Sequence, residues 1–369
     1  MQFYNLFVKS KKQETSDTVT LEFDVPADIQ DTFLSYKQGQ YITIRTELKG
    51  HELRRSYSMS SSPLEKRLAV TVKKVSGGAV STWLHDQVKP GDSLEIAPPD
   101  GRFYVTLDAD KRRTYYLFAA GSGITPLMSI AKTTLEQEPM STVFLLYGSR
   151  SEEQIIFKEE LDHMSERYSG QFFVEHILSK PKKEGGGGIM GLFKKSTSNW
   201  SGKTGRIDAR SADRYLEENM PHGPETDCIY FICGPGDMAE TVEKTIEARG
   251  IAKKQIHTER FVNAGHVPGE GPAPIADGSG ARLIVTLRGE RIETVVPAGQ
   301  TVLDVLVREK YDVPYSCTAG ACSTCMAKVV SGKVNMDACY ALDDDEVKAG
   351  YCLTCQAKPA TDTVEIVYE

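Results

Sequence analysis

The spacing of the cysteines constrains this 369-residue chain more than any other feature, because six of its eight cysteines lie after residue 316. Four residues separate Cys317 from Cys322, two separate Cys322 from Cys325, and 29 separate Cys325 from Cys355. Thiolates bind iron strongly, and four of them at this spacing can hold a [2Fe–2S] cluster. The loop residues between the first three are small, which lets backbone N–H groups approach the cluster sulfurs. We therefore predict that these four cysteines are the metal ligands.

A structural zinc site is the alternative that the cysteines leave open. Two C-x2-C pairs, at 322–325 and 352–355, could bind one zinc ion between them. A [2Fe–2S] cluster fits better than zinc, because three of the cysteines lie in one loop that follows a predicted pair of strands and a helix. On this interpretation Cys339 and Cys352 bind no metal and are small thiols that are buried or partly exposed.

Charge and hydropathy disfavour several classes of protein. The chain has 44 lysines and arginines against 51 aspartates and glutamates, a net charge of −7, whereas nucleic-acid-binding proteins usually show a basic footprint. No apolar run approaches the roughly 18 residues of a membrane-spanning helix, and residues 1–12 lack the apolar core of a signal peptide. We therefore expect a cytoplasmic protein with no nucleic-acid partner, no stable membrane insertion and no disulfide framework.

The hydrophobic pattern changes along the chain. Short alternating strands such as 18–23, 41–46 and 68–75 are separated by turn residues, which predicts a small antiparallel barrel or sandwich. From about residue 111 onward, continuous apolar strands alternate with helical stretches, as in a parallel α/β sheet. The predicted elements of this second region are strands at 114–120, 143–147 and 229–232 and a helix at 125–136.

These changes divide the chain into predicted domains. The boundaries are 1–107 for the barrel, 108–262 for the α/β domain, 263–280 for a linker rich in Gly, Pro and Ala, and 281–369 for the cysteine-containing domain. The last domain has two predicted strands within 281–296, a helix at 302–310 and a closing strand at 363–368. Residues 184–202 include four consecutive glycines and are interpreted as a flexible surface insertion in the α/β domain.

Four short motifs can bind nucleotides, although each is a modest signal alone. The GSGITP segment at 121–126 follows a buried strand and opens a helix, whose free N–H groups can bind a pyrophosphate. In the barrel, RSYS at 55–58 offers an arginine for phosphate and a tyrosine for stacking, and GAVSTWL at 78–84 starts a second helix. The CGP segment at 233–235 ends another buried strand.

The order of these motifs, followed by ERF at 259–261, resembles the ferredoxin–NADP reductase superfamily over residues 3–261. Residues 281–369 resemble a plant-type ferredoxin domain, with Cys355 at the position of the fourth ligand. The resemblance implies a multidomain fold with an antiparallel β-barrel FAD domain, an α/β parallel-sheet NAD(P) domain and an α+β β-grasp ferredoxin domain.

The resemblance also implies roles for individual residues. Tyr57 would lie against the isoalloxazine ring, Cys233 would lie near the hydride path, and Glu259 and Phe261 would lie near the flavin. The candidate catalytic residues are Cys233 and Glu259. We interpret these last two as positioning or tuning groups and not as a nucleophile and a base. The full predicted set of cofactor-binding residues comprises Arg55, Tyr57, Ser58, Val72, Lys73, Gly78, Ser81, Thr82, Gly121, Gly123, Thr125, Ser149, Arg150, Gly234, Pro235 and Phe261.

Two residues after the strand at 143–147 bear on the choice of coenzyme. Ser149 offers a hydroxyl and Arg150 a guanidinium, and both can bind a 2′-phosphate. An acidic residue, which would favour a free ribose hydroxyl, stands at neither position. The sequence therefore favours NADPH over NADH.

The module order, with the reductase first and the ferredoxin last, is similar to that of the reductase components of multicomponent oxygenases. Within that group the chain most resembles the reductase subunits of phenylacetyl-CoA epoxidases, on segments such as ELRR at 52–55 and CSTC at 322–325. This implies a multisubunit di-iron oxygenase as the partner. The alternatives are a Rieske oxygenase, a desaturase or another hydroxylase as partner, or a redox sensor without fast turnover. The acidic run at 343–346 could steer a cationic oxygenase subunit or simply begin a helix.

Overall fold

The computed structural model describes residues 1–182, 200–222, 224, 227–262, 267–269 and 280–369. The predicted insertion at 184–202 and the predicted linker at 263–280 therefore lie largely outside the described residues. Three main sheets fall within the predicted domains 1–107, 108–262 and 281–369. The domain boundaries themselves stay predictions. None of the helices in the described ranges is long and apolar enough to cross a membrane.

The N-terminal sheet is antiparallel and closes on itself, and we call it the barrel. Its strands follow the spatial order β4-β3-β6-β1-β2-β5. The two edge strands meet where Met59 pairs with Val70 and the Ser60 N–H donates to the Ala69 carbonyl at 2.9 Å. The elements are β1 (Tyr4–Thr15), β2 (Thr18–Asp24), α1 (Gln30–Leu34), β3 (Tyr41–Leu48), β4 (His51–Ser58), β5 (Leu68–Lys73), α2 (Ala79–Asp86) and β6 (Ser93–Asp100).

The second sheet is parallel throughout and has helices on both faces, and we call this unit the parallel-sheet domain. Its strand order is β10-β9-β8-β7-β11-β12. The elements are β7 (Thr114–Ala120), α3 (Ile124–Gln137), β8 (Thr142–Ser149), α4 (Lys158–Arg167), β9 (Phe172–Leu178), β10 (Lys203–Thr204), α5 (Ala209–Glu218), β11 (Cys228–Pro235), α6 (Gly236–Ala248) and β12 (Ile256–Phe261).

Strand β7 shows why this sheet is buried on both faces. Tyr115 and Leu117 belong to the core that α3 and α4 cover, whereas Tyr116 and Phe118 belong to the core that α5 and α6 cover. Successive side chains of a strand point to opposite faces, so a continuous apolar run fills two cores. The predicted parallel α/β sheet is confirmed, and the observed β7 has the predicted bounds.

The third sheet, in the C-terminal domain, is mixed. Its order is β14-β13-β19-β15-β17, with β13 and β19 parallel and the other pairs antiparallel, and β16 pairs separately with β18. The elements are β13 (Ala281–Leu287), β14 (Glu290–Val296), α7 (Val302–Arg308), β15 (Met326–Ser331), β16 (Val334–Met336), α8 (Asp344–Lys348), β17 (Tyr351–Leu353), β18 (Ala357–Pro359) and β19 (Thr363–Val367).

Helix α7 packs across this mixed sheet, as the predicted β-grasp fold requires. Its residues Leu303 and Leu306 are buried in the same core as Leu283 of β13. The helix ends two residues before the predicted end, because Lys310 adopts a left-handed conformation with φ 66°. A residue in this conformation commonly terminates a helix.

Candidate functional site

The three domains meet at one cleft of about 1570 Å³. Its walls come from β4 and the start of α2 in the barrel, from the carboxyl ends of the parallel strands, and from the cysteine loop of the C-terminal domain. The carboxyl ends of parallel strands share one edge of a sheet, where ligands bind in open α/β folds. This topology gathers motifs that are more than 200 residues apart in the sequence.

The barrel wall carries the predicted flavin-contacting residues. Arg55, Tyr57 and Ser58 all line the cleft from β4. The Arg55 guanidinium donates to the Arg54 carbonyl at 2.7 Å, which fixes its orientation along the strand. Burial raises the pKa of the Tyr57 phenol, so the ring stays neutral and can stack on a flat ligand.

The start of α2 forms a second part of this wall. Gly78 precedes the helix and makes no side-chain cap, and a Cβ at Gly78 would lie 2.7 Å from the Ser81 hydroxyl oxygen. The Val75 N–H donates to that oxygen at 3.1 Å. Free N–H groups at a helix start form a site for phosphate. Lys73 and Thr82 also line the cleft, whereas the Val72 side chain lies in the barrel core.

The glycine-rich turn before α3 places its two glycines differently. Gly121 has φ +56° and lines the cleft, and the Tyr147 hydroxyl donates to its carbonyl at 3.0 Å. Gly123 lies beneath it, where a Cβ would come within 2.1 Å of the Cys233 carbonyl oxygen. Gly123 therefore allows α3 to pack on β11, while Gly121 and Thr125 face the cleft.

Cys233 and Glu259 are cross-strand neighbours on β11 and β12, and Ser58 of the barrel reaches the same carboxylate. The Ser58 hydroxyl donates to Glu259 Oε2 at 3.3 Å, and the Cys233 thiol donates to the same oxygen at 3.8 Å. Loss of hydration raises the pKa of Glu259 to about 7, although both hydrogen bonds oppose this shift. Burial and the nearby carboxylate raise the pKa of the Cys233 thiol, so this thiol stays protonated and acts as a donor.

The part of the cleft beside β8 and β10 is lined by arginines as well as by Asp208. Ser149 and Arg150, at the end of β8, line the cleft. So do the other predicted residues Gly234, Pro235 and Phe261. Arg206, which the sequence analysis missed, lines the same cleft after the two-residue strand β10. Nothing in the sequence signals so short a strand. Arg150 and Arg206 are exposed and form no ion pair with any residue in the described ranges.

The four predicted cysteine ligands converge on one loop and one neighbouring strand end. The Cys317 thiol interacts with those of Cys322 and Cys355, and the Cys355 thiol interacts with that of Cys325. The Ala319 N–H points at Cys317 Sγ at 3.4 Å. Cys317 and Cys322 line the cleft, so the cysteine loop directly adjoins the space that Tyr57 faces.

The arrangement of these thiols fits a two-iron cluster. The thiols interact in the order Cys322, Cys317, Cys355 and Cys325, and the Gln356 amide donates to Cys355 Sγ at 3.7 Å. Hydrogen-bond donors directed at sulfur are typical of iron–sulfur sites.

Comparisons with known proteins agree with this geometry. Residues 5–104 match the oxidoreductase FAD-binding domain, residues 117–244 the oxidoreductase NAD-binding domain, and residues 285–360 the 2Fe-2S iron-sulfur cluster binding domain. The structure also resembles phthalate dioxygenase reductase, with a TM-score of 0.58 and 22% identity over 99% of this chain and 98% of that one. That likeness supports the fold.

Two relatives match over nearly their whole length. The chain is 33% identical to one subunit of the 1,2-phenylacetyl-CoA epoxidase of Escherichia coli, over 100% of this chain and 98% of that protein. It is 34% identical to the ferredoxin reductase component of 3-ketosteroid-9-alpha-monooxygenase from Rhodococcus rhodochrous, over 98% and 96%. The chain therefore belongs to the ferredoxin–NADP reductase-like oxidoreductases with a C-terminal ferredoxin domain, and its cofactors are FAD, a [2Fe–2S] cluster and a pyridine nucleotide.

Proposed function

We propose that this protein transfers electrons from NADPH to a separate oxygenase component, most specifically the di-iron epoxidase of phenylacetyl-CoA degradation. The observation that carries the proposal is one cleft shared by all three domains, which both Arg150 and Cys317 line. When bound, FAD accepts the two electrons of a hydride and the [2Fe–2S] cluster carries electrons singly. The chain itself binds, orients and separates these groups.

The barrel residues would hold FAD. Tyr57 offers its neutral ring to the isoalloxazine, and Arg55 supplies a fixed positive charge for a phosphate. The start of α2, with Gly78 and Ser81, would bind the pyrophosphate through helix N–H groups. The four cysteines would hold the cluster beside this site.

Glu259 and Cys233 would position groups at the centre of the cleft. With a pKa of about 7, the Glu259 carboxyl retains or releases a proton near neutral pH. Ser58 holds this carboxyl from the barrel side, and the protonated Cys233 thiol holds it from the sheet side. These residues therefore orient ligands and hold a proton, and they form no covalent bond with the substrate.

The oxygenase partner is proposed from the two relatives that match over nearly their whole length. The two full-length relatives have almost equal identity and serve different oxygenases. We favour the multisubunit di-iron epoxidase because that relative spans the whole chain and because the ELRR and CSTC segments resemble its family. The alternative is the reductase of another oxygenase, such as a steroid monooxygenase. We also propose a cytoplasmic location, because the four predicted cluster ligands must stay reduced to bind iron.

The first test is anaerobic titration of the pure protein with NADPH, followed by optical spectroscopy, in the parent protein and in Cys322→Ser. We expect the parent to show flavin and cluster bands that NADPH bleaches, and the variant to keep flavin reduction but lose cluster reduction. Cys339→Ser, at a cysteine outside the predicted ligand set, is the control and should behave like the parent. Loss of both bands in a folded Cys322→Ser protein would contradict this division of roles, and a parent inert to both NADPH and NADH would favour a redox sensor.

The coenzyme assignment is tested by Arg150→Ala. Removing a charged hydrogen bond to the 2′-phosphate should raise KM for NADPH by about 10- to 100-fold, since such bonds contribute about 1.5–3 kcal/mol. KM for NADH should stay within about threefold, as for an ordinary surface substitution. Arg210→Ala changes an exposed arginine of α5 outside the cleft and should alter neither constant. Equal effects of Arg150→Ala on both coenzymes would reject the assignment.

The pKa of Glu259 predicts a pH-dependent stability. This carboxyl ionises near 4.5 when unfolded but near 7 when folded, so the stability it contributes is complete below 4.5 and is lost as pH rises through 7. Glu259→Gln cannot ionise, and its free energy of unfolding should decline less over this range, by up to about 3 kcal/mol. Urea unfolding at several pH values measures this difference between the parent and Glu259→Gln. The control is Glu217→Gln, at an exposed residue of α5. If the free energy of unfolding falls equally with pH in the parent and in Glu259→Gln, burial does not raise the pKa of the Glu259 carboxyl.

The partner is tested by reconstitution with purified oxygenases. With NADPH, the protein should support product formation by a phenylacetyl-CoA epoxidase about tenfold faster than by a 3-ketosteroid-9-alpha-monooxygenase, a difference of about 1.4 kcal/mol. The measured quantity is product formed per NADPH oxidised, which excludes uncoupled electron loss to oxygen. Equal or faster support of the steroid enzyme would replace the epoxidase in the proposal and leave the reductase function intact.

A further inference from the structure

Strand β4 contacts both the cleft and the C-terminal domain. Arg55 and Tyr57 line the cleft, as described above. On the same strand, Arg54 and Ser56 make hydrogen bonds to residues of the C-terminal domain. Side chains of this one strand therefore reach both the cleft and the residues next to the cysteine loop.

Arg54 is the most buried charged group in this contact, with 5% of its surface exposed. Its guanidinium donates to the Val313 carbonyl at 3.3 Å and lies 3.5 Å from the Asp312 carboxylate. The Arg54 Cζ atom is 4.3 Å from the centre of the Tyr315 ring, within the range of a cation–π contact. Glu52 completes the set, because it accepts from Arg54 Nε at 2.8 Å and from the Tyr315 hydroxyl at 3.3 Å.

The residues that Arg54 holds lead directly into the cysteine loop. Tyr315 is followed by Ser316, whose hydroxyl lies 2.7 Å from that of Ser56 and 3.2 Å from that of Thr43. The next residue, Cys317, lines the cleft. A shift of residues 312–315 on the barrel would therefore move the first predicted ligand relative to the wall that would hold FAD.

We infer that Arg54 is a positioning residue that fixes residues 312–315 on the barrel and so sets the separation between the FAD site and the cluster site. This inference rests on the proposed function, because it takes the cleft as the FAD site and the cysteines as the cluster ligands. A buried arginine suits this role. Its planar guanidinium binds a carboxylate, a carbonyl and an aromatic ring together. The Arg54 side chain is only 6% exposed, whereas those of its carboxylate partners Asp312 and Glu52 are 49% and 43% exposed, so Arg54 is the buried member of the contact.

The test compares Arg54→Gln with Arg45→Gln in the full-length protein loaded with its cofactors. Arg45 is the cross-strand partner of Arg54 and also contacts the Phe3 ring. Its guanidinium donates to Glu95 of the barrel and reaches Glu52 only at 3.9 Å, and among the described residues it makes no hydrogen bond to residues 312–315. Two readouts are needed. Anaerobic stopped-flow absorbance separates flavin bleaching from cluster bleaching by NADPH, and hydrogen exchange reports the backbone protection of residues 311–316 without reference to turnover.

We expect Arg54→Gln to slow cluster bleaching by about tenfold or more, since the loss of charged hydrogen bonds shifts a docking equilibrium by that factor. Flavin bleaching should match that of the parent, and exchange at residues 311–316 should quicken. Arg54→Lys keeps the charge and should recover part of the cluster rate. Arg45→Gln should change neither readout. If Arg54→Gln behaves like Arg45→Gln, or slows both bleaching steps equally, the inference is wrong.

Asp312→Asn provides a second variant on the other side of the contact. Its side chain is 49% exposed, so this change leaves the fold intact if Arg54→Gln does not fold. It should slow cluster bleaching and quicken exchange at residues 311–316 in the same way, and unchanged values for both would overturn the inference. If neither NADPH nor NADH bleaches the cluster of the parent protein, the proposed function is wrong. The comparison of hydrogen exchange at residues 311–316 between the parent and Arg54→Gln would then still decide the role of Arg54.

Discussion

The hydroxyls of Ser56 and Ser316 share a hydrogen bond of 2.7 Å across 260 positions of sequence, and this contact joins the barrel to the residue that precedes the first cysteine of the cysteine loop. The hydroxyl oxygens of Tyr41 and Thr324 form a second pair on the same interface, 2.7 Å apart. Neutral hydroxyls satisfy one another when buried and cost far less to dehydrate than charged groups. The barrel and the cysteine loop can therefore approach closely without placing an unpaired charge between them.

The centre of the cleft depends on a second meeting of domains. Glu259 and Cys233 come from adjacent parallel strands, but Ser58 comes from the barrel. The three-residue group is complete only where the barrel and the sheet pack together. The packing of Gly123 on the Cys233 carbonyl serves the same purpose, because a side chain there would push α3 away from β11. The Glu259 carboxyl and the glycine-rich turn before α3 are thus both positioned against β11.

Local sequence was a good guide to the elements and a poor guide to the contacts between them. The bounds of β7 followed from its apolar run, because burial on both faces leaves a continuous pattern. The pattern left barrel and sandwich equally open, since closure depends on the pairing of Met59 with Val70. The cysteine spacing predicted which thiols converge, whereas Arg54 carries no local signal of its contact with Asp312, 258 positions later. Long-range contacts of this kind depend on how domains dock, and a single sequence does not encode them in any period or spacing.

The acidic run at 343–346 shows why charge counted along a sequence overstates the charge that a partner meets. Asp343 caps α8 and accepts the N–H groups of Asp345 and Glu346, which confirms the helix start that was the simpler interpretation. Glu346 pairs with Arg102 of the barrel, and Asp344 lies 3.3 Å from Lys253 of the parallel-sheet domain. Both pairs are exposed and contribute little stability individually. They nevertheless direct two of the four acids toward the reductase domains. Any electrostatic steering of an oxygenase by this helix would therefore compete with contacts that the protein already makes with itself.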